Sequence, residues 1–263
     1  MALRGNGLAR RIVSVSRRPM DEAIEFGLVD AATDDLAAAS READLIVLCT
    51  PVEVIREQLP TVLRAARAGT LVTDVGSTKL RLVEFAESLE GGANFVGSHP
   101  MAGSHLTGWR AGSPTLFRGA VCHVTATECT DLAAVARVGA LWRAVGARVV
   151  HLHPRRHDYL CALVSHLPHM TAVSLSETIR RSREDPALLR VVAGNGLRDT
   201  TRVAMGSGAV WSEIAAHNGE NIANLLDQVA ATATGLAERI RGGGEGLEEF
   251  LETVRRFRTE LQQ

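Results

Sequence analysis

The stretch GTLVTDVGSTK, residues 69–79, decides the fold. A short β-branched run from Leu71 to Thr73 stops at Asp74 and gives way to Val75-Gly76-Ser77. A buried strand of a parallel sheet ends and passes into a turn in this way. The same figure recurs on both sides, in RIVSV (11–15), ADLIVLCTP (43–51), ANFVGSHP (93–100), AVCHVTA (120–126) and ARVVHL (147–152), with helical stretches between them. Strands alternating with helices predict an α/β unit with a mostly parallel sheet. From HPRRHDYLCALVSHLPH (153–169) onward, apolar residues recur at helical spacing and the strand pattern stops. Two domains are therefore expected: residues 1–152, α/β, and residues 153–263, all-α, with GGGEG at 242–246 as a joint between helices.

Composition narrows the function. The 263 residues carry 29 basic and 30 acidic side chains, a net charge of −1. No global field favours nucleic acid or an anionic membrane, so the expected partner is a small molecule. No apolar run reaches the roughly 18 residues of a membrane helix, and the start lacks a signal-peptide pattern, which predicts a cytoplasmic protein. Cys49, Cys122, Cys129 and Cys161 lack CxxC spacing. Reduced, mostly buried thiols are expected, and neither a disulfide framework nor a zinc site.

Ligands in open α/β sheets bind beyond the carboxyl ends of the strands, so the strand tails hold the first candidates. These are Thr50 and Pro51 after LIVLC, Asp74, Gly76 and Ser77 after LVT, His99 in GSHPMAGS (97–104), and Ser16, Arg17 and Arg18 after RIVSV. Thr-Pro and Gly-Ser are also ordinary turn formers. His99 is the sharpest candidate for chemistry, because imidazole titrates near neutrality and here borders a glycine-containing loop. In the helical half, SHLPH places Ser165 and His169 four apart, able to share one face, while His166 points elsewhere and Pro168 interrupts the helix. LRDTTR brings Arg198, Asp199 and Arg202 within about one helical turn, and an arginine fork suits a carboxylate.

DVGSTK, GSHPMAGS, SHLPH and RDTTR followed by Trp211, in this order across two differently built domains, resemble the prephenate and arogenate dehydrogenases of tyrosine biosynthesis. The resemblance implies a Rossmann-like nucleotide-binding domain, then a helical domain that forms a homodimer and helps bind substrate, with the active site between them. It implies oxidative decarboxylation of prephenate or arogenate with hydride transfer to a nicotinamide. His99 would take the proton of the ring hydroxyl, and Ser77 would hold that hydroxyl toward it. Arg202 would pair with a substrate carboxylate, with Ser165 and His169 lining the pocket. Ser16, Arg17, Arg18, Thr50, Pro51, Asp74 and Gly76 would meet the cofactor.

The chain departs from that pattern in three places. His105 and Leu106 stand where Glu-Lys usually follows GSHPMAGS. The strand that usually ends in an acid for the ribose hydroxyls ends in Ser16-Arg17-Arg18, which suits a 2′-phosphate and favours NADP over NAD. No GxGxxG lies upstream of Ile12, and MALRGNGLARR reads as a last helical turn stopped at Gly5-Asn6-Gly7. The first strand and its phosphate loop are thus missing from the expected fold, and a start displaced by roughly 20 residues, within a βαβ unit of about 30, or a truncated form is expected. Two further readings follow from the residues. One is a non-catalytic binding or scaffold protein on a dehydrogenase fold that has lost its cofactor loop. The other is a metal-dependent hydrolase built on His151, His153 and His157 of HLHPRRHD, which lacks an HExxH helix.

Overall fold

The computed structural model describes residues 1–103 and 108–262; His105 and Leu106 lie outside them. The elements in order are α1 (Ala2–Gly5), β1 (Val13–Val15), α2 (Asp21–Glu25), β2 (Ala31–Thr33), α3 (Leu36–Glu42), β3 (Leu45–Leu48), α4 (Val52–Ala65), β4 (Leu71–Asp74), α5 (Leu80–Glu87), β5 (Phe95–Pro100), β6 (Val121–Thr125), α6 (Leu132–Ala144) and β7 (Arg148–Leu152). Then come α7 (Pro154–Cys161), α8 (Leu167–Arg181), α9 (Pro186–Val192), α10 (Asn195–Thr201), α11 (Gly208–Arg241) and α12 (Leu247–Glu260). No helix among the described residues is long and apolar enough to cross a membrane.

The chain divides into two compact units that interrupt each other. One comprises Met1–Cys161 with Gly206–Asn218, the other Ala162–Met205 with Gly219–Gln263. The first unit keeps α7 because Asp158 bonds the start of α5, and keeps the start of α11 because Glu213, Ala216 and Asn218 bond Glu53, Arg81 and Asp158. A non-helical residue inside α11, Asn218 (φ −126°, ψ 22°), stands at the change of unit.

In the first unit β3–β7 form one sheet in sequence order, parallel throughout except for the antiparallel pair β5–β6. Successive residues of β4 and β5 face opposite sides and are buried on both. Val72 and Phe95 pack with Leu48, Ile55, Leu59 and Leu82, and Leu71 and Val96 with Cys122, Val124, Val138 and Trp142. Each such side chain contributes roughly 1.5–3 kcal/mol on burial, which is why both strands open on apolar residues. Asp35 and Asp131 cap α3 and α6, accepting from the amides of Ala38 and Ala133 at 2.8 and 2.9 Å.

Strands β1 and β2 form a separate parallel pair. β2, built from Ala31-Ala32-Thr33, escapes sequence reading because alanine carries no strand signal. The opening residues form the single helical turn expected of them: Asn6 Nδ2 donates to the Ala2 carbonyl, and Gly7 takes the left-handed conformation at φ +66° that stops the helix.

The second unit is helical. Pro168 does not break a continuous helix. It sits just after a π-helical turn at Ala162–His166, where the widened turn accommodates its missing N–H. The unit leaves Val191, Val192, Met205, Ile240, Phe257 and Leu261 exposed.

Candidate active site

The site grows from the carboxyl ends of β4 and β5, which run side by side with Thr73 opposite Val96. Asp74 closes β4 fully buried, as is Lys79, and the two form an ion pair. Asp74 Oδ1 accepts from the Ser98 amide at 2.9 Å, and Oδ2 from the Gly76 amide at 2.7 Å as well as from Lys79 Nζ. A buried pair survives only when its remaining hydrogen-bonding capacity is met, and these backbone donors meet it. Glycine is forced at two places around it. A Cβ on Gly76 would lie 2.8 Å from Val52 Cγ2, and one on Gly97 would lie 2.5 Å from Thr125 Oγ1 and 3.1 Å from Lys79 Cδ.

Asp74 and Gly76, expected to meet a cofactor, are engaged within the protein. Both carboxylate oxygens and the Gly76 amide are consumed internally, so these residues shape the loop that presents half-buried Ser77.

His99, half-buried near the end of β5, joins a relay that the sequence did not reveal. Its Nδ1 lies 3.0 Å from Nε2 of His157, whose Nδ1 lies 2.8 Å from Asp158 Oδ1. The Asp158 carboxylate also accepts from the backbone amides of Lys79 and Leu80, at 2.7 and 2.9 Å, capping α5 from another helix. A carboxylate held by donors only accepts, so His157 carries its proton on Nδ1. Burial pushes the His157 pKa down against the opposing Asp158 hydrogen bond, so the ring is neutral and its Nε2 offers a lone pair. His99 then donates from Nδ1, and its own lone pair resides on Nε2.

Two more groups crowd the same point. Register pairs His123 on β6 directly with His99 on β5, and Cys161 follows His157 by four residues on α7. Cys161 Sγ lies 3.4 Å from His157 Nε2, 3.8 Å from His99 Nδ1 and 4.0 Å from His123 Nδ1. Burial pushes His123 down to about 4 and the Cys161 thiol up to about 12, so both are uncharged at neutral pH.

The other expected residues fall into three groups. Thr50 Oγ1 bonds Gln58 Oε1 at 3.0 Å, and exposed Pro51 precedes α4 as its N-cap. Ser16 Oγ accepts from the Arg18 amide at 3.0 Å, a tight turn that projects exposed Arg17 and Arg18; neither guanidinium has an ion pair among the described residues. In the second unit His169 is buried with its pKa lowered by burial, against the opposing hydrogen bond to the backbone of Val203, next to exposed Arg202. Ser165 is half-buried in the π turn, and His166, expected to point away from that face, is as deeply buried as His169. Arg198 and Asp199 are exposed. His151 and His153 are exposed and lie outside the group that His157 joins, so the three histidines of HLHPRRHD do not form one site.

Sequence reasoning missed Lys79, His123, His157, Asp158 and Cys161 as a group. The signals were thin: a lysine ending DVGSTK, a His-Asp pair, and a histidine and cysteine four apart.

Family models for the prephenate dehydrogenase nucleotide-binding domain and the prephenate dehydrogenase dimerization domain match residues 1–151 and 153–256. The prephenate dehydrogenase of Bacillus subtilis is 34% identical over 238 residues, covering 87% of this chain, which spans 62% of that protein's length. The crystal structure of prephenate dehydrogenase from A. aeolicus in complex with hydroxyphenyl propionate and NAD+ matches with a TM-score of 0.91 at 31% identity, covering 99% of this chain and 92% of that one. The Synechocystis arogenate dehydrogenase structure matches with a TM-score of 0.84 at 29% identity, covering 99% and 94%. These matches are to enzymes and do not favour a non-catalytic scaffold.

Proposed function

Because the chain belongs to the prephenate dehydrogenase family, we propose that it catalyses the oxidative decarboxylation of prephenate or arogenate. The nicotinamide nucleotide supplies the acceptor for a hydride from the ring carbon bearing the hydroxyl. His99 Nε2 accepts the hydroxyl proton, and Ser77 Oγ orients that hydroxyl. Loss of the ring carboxylate as carbon dioxide leaves its electron pair in the ring, and the product is a phenol, 4-hydroxyphenylpyruvate or tyrosine. Aromatisation drives the step.

The observation that supports this reading is the Asp158–His157–His99 hydrogen-bond chain, which favours a His99 lone pair on Nε2 at the end of a strand. As Nε2 takes the proton, the Nδ1–H bond to His157 becomes charge-assisted and stabilises the imidazolium. Arg202, with Ser165 and His169, holds the substrate carboxylate. For the cofactor, the residues fit a phosphorylated ribose: Ser16, Arg17 and Arg18 form a tight turn with two exposed guanidiniums that lack carboxylate partners among the described residues, so NADP is the preferred form. The related A. aeolicus enzyme was crystallised with NAD+, which makes cofactor choice a direct test of that turn. Thr50 and Pro51, at the tail of β3, complete the cofactor set. The exposed apolar residues of the helical unit and its match to a dimerization domain support a homodimer through those helices.

The test is His99→Asn. Turnover should fall by about 10²–10⁴-fold with substrate affinity held within a few-fold. Near wild-type turnover would make His99 structural.

A further inference from the structure

We propose that His99, His123, His157 and Cys161 form a four-ligand site for a zinc-class divalent cation, and that the bound cation switches off His99 as a base. One ligand atom from each lies within 4.8 Å of all the others. Tetrahedral zinc with nitrogen at about 2.0–2.1 Å and sulfur at about 2.3 Å needs N–N edges near 3.4 Å and N–S edges near 3.6 Å. The observed His99–His157 separation is 3.0 Å, and the three separations from Cys161 Sγ are 3.4, 3.8 and 4.0 Å. Each of these four has to change by about 0.4 Å or less, and the two edges from His123 to the other imidazoles, within 4.8 Å, close further on binding.

The ligands come from rigid elements. His99 and His123 are register partners across the β5–β6 pair, and His157 and Cys161 share one face of α7. Three imidazoles and a thiolate are the donor set of a borderline-soft ion such as Zn2+, not of magnesium or calcium. The outer shell is in place too: His157 donates its second nitrogen to Asp158, the carboxylate–histidine arrangement that fixes a metal-bound imidazole. The Asp158–His157–His99 chain uses two of the four donors, so it alone does not account for the convergence of His123 and Cys161 on the same point.

Binding forms three N–metal bonds and one S–metal bond, and breaks one S–H bond whose proton leaves to solvent. No electrons are transferred. His157 keeps its Nδ1 proton and gives Nε2 to the cation. His99 gives Nδ1, so its ring proton moves to Nε2, the position that must be bare to receive the substrate proton. The inhibitory part rests on the reading of His99 as the base; the ligand set does not.

The experiment uses metal-free protein and Co2+ as the probe. One equivalent per chain should bind, with visible bands of a tetrahedral ion and a near-ultraviolet thiolate-to-metal band. Cys161→Ser should lose the thiolate band, His123→Ala and His123→Gln should weaken binding by about tenfold or more, and Zn2+ should displace the probe. In turnover assays Zn2+ should inhibit the wild type reversibly to chelator, while both His123 variants keep wild-type turnover in its absence and lose the sensitivity. Absence of saturable binding, or a thiolate band unchanged in Cys161→Ser, overturns the site. Equal zinc sensitivity in the His123 variants overturns the switch. A tetrahedral spectrum with undiminished turnover overturns the switch and the base assignment of His99 while the ligand set stands.

Discussion

Replacing His157 by phenylalanine tests the relay most directly. The ring volume is nearly kept, but Nε2, 3.0 Å from His99 Nδ1, and Nδ1, 2.8 Å from Asp158, are both lost. In the ground state the lost bond is neutral; in the transition state, with His99 gaining a proton, it is charge-assisted and worth about 1.5–3 kcal/mol. Only the excess that appears with the charge acts on the chemical step, which bounds the loss in kcat at about ten- to 150-fold, with KM within a few-fold. Steady-state reduction of the nicotinamide, followed by absorbance with saturating cofactor, gives both constants. His157→Gln restores an acceptor on the side of His99 and should recover part of the rate. Thermal unfolding of each variant separates this effect from the cost of leaving the Asp158 carboxylate with one donor fewer. A His157→Phe enzyme with kcat within twofold of wild type, or a loss confined to KM, refutes the relay.

Arg202→Ala should raise the substrate KM strongly, by removing a charge-assisted pair of roughly 1.5–3 kcal/mol, and an unchanged KM returns this arginine to the exposed helix surface. Ser16→Asp combined with Arg17→Ala should reverse a preference for NADP, read as kcat/KM for both nucleotides at fixed salt; equal use of both by the parent protein removes the basis for the preference. Acid should destabilise the first unit. Burial holds His123 at about 4 against 6.5 for the free side chain, so the unfolded chain binds the proton first as pH falls. The stabilisation is complete above about pH 6.5 and is lost toward pH 4. His123→Ala should flatten the fall of the melting temperature over that window, and an unchanged slope assigns the acid sensitivity to other groups.

Sequence alone determined the two-part architecture, because burial on both faces of a parallel sheet writes short apolar runs such as Leu45–Leu48, and helix packing writes a different period after residue 152. It also singled out His99 and Ser77 as candidates, since a strand tail followed by glycine is a local pattern, and it read the last turn of α1 from Gly5-Asn6-Gly7. The division into compact units, β2, the buried role of Asp74 and the π turn before Pro168 were decided elsewhere in the chain. Lys79 meets Asp158 across 79 residues, and His99 meets His157 across 58. Cys161 shows no metal-binding spacing in sequence because its three companions arrive from β5, β6 and the preceding turn of α7. Strand register and helix docking set those distances, and both follow from the summed burial of the core; no short motif encodes them.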